Sequence, residues 1–152
     1  MVKSGKLRDV YEFMLKSMKN IQSRAWLLSR FDETENGEVK PKITAKYFGV
    51  ITLDQDYWIT FEGKFLRLKS IKLEINLRDV VSVNVVMVNQ LKIKWLDKRH
   101  RIYHNVLFQI GEQSKLMGLH PSKRAANVWK KLIERAIEEL KKKELEKRKK
   151  RR

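Results

Sequence analysis

The stretch Lys92-Ile93-Lys94-Trp95-Leu96-Asp97-Lys98-Arg99-His100-Arg101-Ile102-Tyr103-His104 carries the densest set of side chains able to do chemistry in this chain. On a strand, successive side chains alternate faces, so Lys92 and Lys94 share one face while Leu91, Ile93 and Trp95 share the other. On a returning strand, Ile102, His104, Val106 and Phe108 alternate with Arg101, Tyr103 and Asn105. With the apolar sets turned to a core, Lys92, Lys94, Arg101 and Tyr103 point outward, and Lys98 and Arg99 form the tip. Cations grouped around one tyrosine suit the phosphates of a nucleic acid and one stacked base. The competing use of such lysines is to blunt an exposed sheet edge against aggregation. Neither use reads a specific sequence.

A second basic cluster closes the chain. Residues 141–152 hold nine Lys or Arg, among them Lys147, Arg148, Lys149, Lys150, Arg151 and Arg152, against Glu144 and Glu146. The whole chain has 35 Lys and Arg against 18 Asp and Glu, a net charge of +17 on 152 residues. A basic tail alone reads as a solvated helix end. A body that is itself strongly basic points to a polyanionic partner: nucleic acid first, then an anionic membrane or an acidic protein surface.

Catalytic sets are missing from the pattern. The six glycines form no dinucleotide or phosphate loop. Without cysteine there are no disulfides, thiolate nucleophiles or Cys-based zinc sites. On a strand, His100 and His104 fall on one side but roughly 13 Å apart, too far to share a metal. The expectation is a non-catalytic protein with no cofactor and no metal. The N-terminus shows no signal-peptide apolar core, and Val85-Val86-Met87-Val88 is too short to span a bilayer. A cytoplasmic protein is expected, and Lys/Glu/Arg richness with few glycines fits a thermophile.

Several elements must position these groups. Leu7, Tyr11, Met14, Met18, Ile21, Ala25 and Leu28 alternate steps of four and three, which predicts an amphipathic helix from Leu7 to about Arg30. Its stripe packs on the sheet or serves as a partner-helix seam, including a homodimer through Leu7, Met14, Ile21 and Leu28. Residues 32–42, with Asn36-Gly37 and Pro41, read as a linker. From Ile43 to Ile110 short strands alternate with turns at Asp54-Gln55-Asp56, Glu62-Gly63-Lys64 and Asp97-Lys98-Arg99-His100. Val80–Val88 is apolar at nearly every position, which predicts a strand covered on both faces. Residues 112–120 read as a loop in which Leu116-Met117-Gly118-Leu119 tucks under the last helix. Ser122 caps that helix, whose buried face is Ala125, Ala126, Trp129, Leu132, Ile133, Ala136, Ile137 and Leu140.

Antiparallel strands followed by one helix resemble the layout of the pleckstrin-homology (PH) superfold, including GRAM-type domains. Gly49-Val50-Ile51-Thr52-Leu53 with Tyr57-Trp58-Ile59 resembles the first hairpin of a GRAM-like domain. Ile75-Asn76-Leu77-Arg78-Asp79-Val80-Val81-Ser82-Val83 resembles its strand-turn-strand, and Ala126-Asn127-Val128-Trp129-Lys130-Lys131-Leu132-Ile133 its capping helix. The resemblance implies an α+β fold: a PH-like β sandwich or barrel of about seven strands with a C-terminal capping helix, here preceded by the long N-terminal amphipathic helix. The corresponding division is residues 1–31 helix, 32–42 linker, 43–140 PH/GRAM-like domain and 141–152 basic tail. Asp54-Gln55-Asp56 departs from the basic loop of the phosphoinositide-binding subset, so the family's lipid specificity does not carry over. A binding module for nucleic acid is the leading expectation. The alternative is a protein or peripheral-membrane adaptor using the sheet edge or the heptad helix, with Leu7, Tyr11, Met14, Met18, Ile21 and Leu28 as its interface.

Overall fold

Ile21, Ser23, Ala25 and Leu27 turn to one side of an extended segment, and all but Ser23 are buried. A computed structural model describes residues 20–43 and 45–150, and in it Asn20–Thr34 forms a long strand, β1. The helix expected to run to Arg30 is therefore contradicted over its described part, and with it the fold class that included a long N-terminal helix. The physical reason lies in the spacing: a step of four is helical, but it is also two periods of a strand, so Ile21 and Ala25 satisfy both templates. Leu27 decides for the strand, because it is fully buried and would fall off the helical stripe. Leu7, Tyr11, Met14 and Met18 lie outside the described residues. Ile21 belongs to the core, so it is not available to a dimer seam.

The expected linker is a hairpin. The Thr34 N–H donates to Glu38 O at 2.9 Å, Gly37 N–H donates to Thr34 O at 2.9 Å, and Gly37 takes the left-handed φ of 82° that this turn requires. The chain then returns as β2 (Val39–Ile43), with Asp32 opposite Lys40 and Glu33 opposite Val39.

Next come β3 (Tyr47–Asp54), β4 (Trp58–Phe65), β5 (Lys69–Asn76), a single 3-10 turn (Leu77–Asp79), β6 (Val80–Val86), β7 (Gln90–Asp97), β8 (Ile102–Ser114) and β9 (Gly118–Pro121). All pairings are antiparallel, in the order β5-β4-β3-β1-β8-β7-β6, with β2 added beside β1 and β9 beside β8. β5 and β6, consecutive in the chain, are the two ends of this path. The turn that joins them is held by Leu77 N–H donating to Tyr57 O at 2.9 Å, and the sheet curls into a half-barrel.

Three local expectations change. Gly63 is not a turn residue but lies within β4 opposite Gly49, where a Cβ on Gly49 would stand 1.8 Å from Glu62 O, so glycine lets the two backbones approach. Within Val80–Val88 only Val83 is buried; Val81, Met87 and Val88 are exposed, because β6 is an edge strand covered on one face. Residues 112–120 complete a β8–β9 hairpin whose tip, Leu116 and Met117, is 98% and 72% exposed and does not tuck under the helix.

The helix α1 (Lys123–Lys150) crosses the concave face. Ser122 Oγ accepts the Ala125 N–H at 3.1 Å, the expected cap, a contact worth about 1 kcal/mol. Trp129, Leu132, Ile133, Ala136 and Leu140 enter the same core as Leu27, Ile51, Phe61, Ile93 and Phe108. Trp129 also donates its indole N–H to Ser23 Oγ at 2.8 Å, which gives the inward hydroxyl of β1 a partner. The concave face is filled, and the convex face of the sheet is left to solvent among the described residues.

Candidate anion-binding surface

The β7–β8 register sets Lys94 opposite Asn105 and Lys92 opposite Leu107, all on the convex face, while Trp95 and His104 turn inward. Lys94 Nζ lies 3.5 Å from Glu33 Oε2 and 4.7 Å over the Tyr103 ring. Glu33 Oε1 also accepts the Asn105 amide at 3.0 Å, so this carboxylate ties β1, β8 and β7 together over a fully buried Asn105. Lys92 Nζ sits 5.5 Å over Phe31 of β1 and has no carboxylate within 4 Å among the described residues. Of the two outward lysines, Lys94 is committed to the fold and Lys92 is free to meet a ligand.

The tip is arranged differently from its strand-based reading. Arg101 is not on β8 but in the turn, with φ 55°, exposed beside Lys98, Arg99 and His100. Because residues 98–101 turn, His100 folds back. Its ring Nδ1 lies 2.8 Å from Asp97 Oδ2, and its backbone N–H donates to Asp97 Oδ1 at 3.1 Å. His104 approaches the same oxygen at 3.4 Å through Nε2, and its Nδ1 lies 2.7 Å from Asp32 Oδ1. The estimate that kept the two histidines apart along a strand therefore fails, since a carboxylate gathers both. His100, by side-chain and backbone hydrogen bonds, lowers the Asp97 pKa to about 2. The inward histidine, between Asp32 and Asp97 and beside the Trp95 ring, is a fastening of the β1–β8 end of the sheet. No group of three or more side chains able to hold a metal ion occurs among the described residues.

The consequence for the surface is electrostatic. The acidic group of the turn is engaged by imidazoles, and among the described residues Lys98, Arg99 and Arg101 have no carboxylate within 4 Å. A short tip thus presents three cations that no described carboxylate neutralises.

At the far end of α1, Lys143 Nζ lies 5.1 Å over the Tyr57 ring and 3.6 Å from Glu139, and the Tyr57 side chain raises its pKa above the ordinary lysine value. Arg78 pairs with Glu144 at 3.0 Å. These contacts hold the helix to the 3-10 turn, after which Lys147, Arg148, Lys149 and Lys150 are exposed in the last turn. Arg151 and Arg152 lie outside the described residues. No hydrogen bond or ion pair joins the β7–β8 tip to this helix end among the described residues, so they are two basic patches on one body. Sequence reading missed Glu33, Asp32 and Asp97 as partners. The signal for Asp32 and Glu33 was the acidic island 32–38 in a basic chain, and Asp97 stood in the basic hairpin itself.

No protein-family model and no curated protein matches this chain. No helix among the described residues is long and apolar enough to cross a membrane.

Proposed function

We propose that this chain is a PH/GRAM-like, non-catalytic binding module whose partner is a nucleic acid held through backbone phosphates. Seven antiparallel strands on one curled path and a helix across the concave face fit the PH layout, with β2 and β9 as additions. The observation that carries the partner class is the tip of β7–β8, where Asp97 is engaged by His100 and His104 while Lys98, Arg99 and Arg101 have no carboxylate partner among the described residues. Lys92 on the convex face and Lys147 to Lys150 on α1 extend the phosphate contacts. Guanidinium and ammonium groups at an exposed turn attract phosphates regardless of base, so affinity follows counterion release. Binding of an arbitrary oligonucleotide across a salt series tests this reading; no binding at low salt ends it.

A second reading has its own observation. Leu66 and Leu68 flank Arg67 at the β4–β5 turn, and Met87, Val88, Leu116 and Met117 project from two other turns, all more than 70% exposed. Apolar tips beside cations suit insertion into an anionic bilayer. Sedimentation with anionic and neutral vesicles separates this peripheral-membrane role from the first.

A further inference from the structure

Trp26 of β1 and Phe48 of β3 stand opposite each other on the convex face, with ring centroids 5.2 Å apart and planes tilted by 45°. Their neighbours Ala25, Leu27 and Ile51 are buried on the other side of the sheet, whereas Phe48 is 40% exposed and Val50 beside it 38%. A hollow of about 470 Å³ adjoins Phe48, walled by Glu62, Lys64, Ser70 and Lys72. Lys64 lies directly opposite Phe48, and Arg24 two residues from Trp26 on the same face; among the described residues neither has a carboxylate within 4 Å. Glu62, the acid nearest the hollow, is 3.7 Å from Lys72. Further along β1, Phe31 and Tyr103 form a second aromatic group on this face, roofed by Lys92 and Lys94. Trp26 and Phe31 are five positions apart along β1, roughly 17 Å, and the irregularity between Leu27 and Ser29 puts both on this face.

We propose that this convex face is a stacking platform for single-stranded nucleic acid, with Trp26 and Phe48 receiving a base and Lys64, Arg24 and Lys92 the flanking phosphates. The proposal rests on the nucleic-acid reading above and narrows it to one form of that ligand. A half-buried Trp26 and an exposed Phe48 on one sheet face, beside Arg24, Lys64 and Lys92, match a chain that offers π-faces and phosphates together. A duplex keeps its base faces stacked inside, so it meets the cations but not the rings. A lysine ammonium resting on a ring contributes only about 0.5–1 kcal/mol at an exposed site, so Lys92 is readily exchanged from Phe31 to a phosphate.

The test compares an oligothymidylate of about 30 nucleotides with a duplex of equal length on the full chain at fixed low salt. The single strand is expected to bind more tightly and to quench tryptophan fluorescence. Phe48→Ala, at a surface position, is expected to weaken the single strand about 5- to 150-fold and leave the duplex within about 2-fold. Trp26→Phe keeps a ring and is expected to retain affinity while losing most of the quench. The control pair Lys98→Gln and Arg99→Gln weakens both ligands together. If Phe48→Ala affects neither ligand, or both equally, the platform is overturned while phosphate binding at the tip survives. If the wild-type chain binds neither ligand but sediments with anionic vesicles, the nucleic-acid reading itself falls.

Discussion

Lys94 of β7 reaches Glu33 of β1 at 3.5 Å, across the intervening strand β8, and the same carboxylate holds the Asn105 amide at 3.0 Å. One acid thus bridges three strands on the convex face. Replacing Glu33 by Ala leaves the buried Asn105 amide without its acceptor, an expected loss of about 1–3 kcal/mol in chemical denaturation. Lys94→Gln removes an ion pair that is about a quarter exposed and is expected to cost about 1 kcal/mol. Its effect on oligonucleotide affinity should be smaller than that of Arg99→Gln, because Lys94 is already neutralised. A reversed order would place Lys94 among the ligand contacts.

The unpaired tip makes a quantitative demand. If Lys98, Arg99 and Arg101 each meet a phosphate, the slope of log affinity against log salt should fall by about 0.9 for each one changed to Gln on duplex DNA, and by about 0.7 on a single strand. Fluorescence anisotropy across a salt series reads this slope. An unchanged slope in the triple variant would remove the tip from the interface.

Asp97 supplies a pH signature. Its pKa of about 2 lies below the ordinary carboxylate value, chiefly through the His100 side-chain hydrogen bond. A depressed carboxylate contributes stability that is fully present above its unfolded pKa of about 3.9 and is lost as pH falls through the folded value. An NMR titration of the Asp97 carboxyl carbon is expected to show a midpoint near 2 in the wild type. In His100→Ala the midpoint should move up toward the ordinary range. A wild-type midpoint already in that range would contradict the folded-back turn.

Trp129 couples α1 to the sheet by both packing and a hydrogen bond. Trp129→Phe keeps most of the ring but leaves Ser23 Oγ without its donor, an expected loss of about 1–2 kcal/mol. Trp129→Ala opens a cavity in the core and should cost about 3–5 kcal/mol. Urea denaturation of the two variants checks the ordering. If both cost the same, the indole N–H bond contributes nothing measurable.

The strand through residues 71–75 and the last helix were legible because their signals are single-valued. Ile71, Leu73, Ile75 and Leu77 alternate strictly, Ser122 is a cap followed by helical spacing, and the structure follows both. The segment 20–34 was not, because Ile21 and Ala25 fit a helix and a strand alike, and Leu27 breaks the tie only through its burial in the folded sheet. Pairing with β3 and β8 on either side decides it, and those partners lie more than 20 and more than 70 residues away. The basic hairpin was readable from alternation, since Lys92, Lys94 and Tyr103 fall on one face with Leu91, Ile93 and Trp95 on the other. What alternation misses is where carboxylates from β1 arrive. Glu33 takes Lys94 out of play, and the turn at 98–101 brings His100 onto Asp97, contacts that only tertiary structure and turn geometry create. On the expected helix Trp26 lies off the stripe, where it either meets the sheet near the helix end or remains as an exposed apolar patch. On a strand it has an assigned face, opposite Phe48.

The most direct measurement is equilibrium binding of the full chain to an arbitrary oligonucleotide of about 30 nucleotides over a range of salt concentrations. Affinity that is measurable at low salt, independent of base sequence and declining linearly on a log–log plot is the expected result. An absence of binding at low salt, with the protein folded, would contradict the account at its centre.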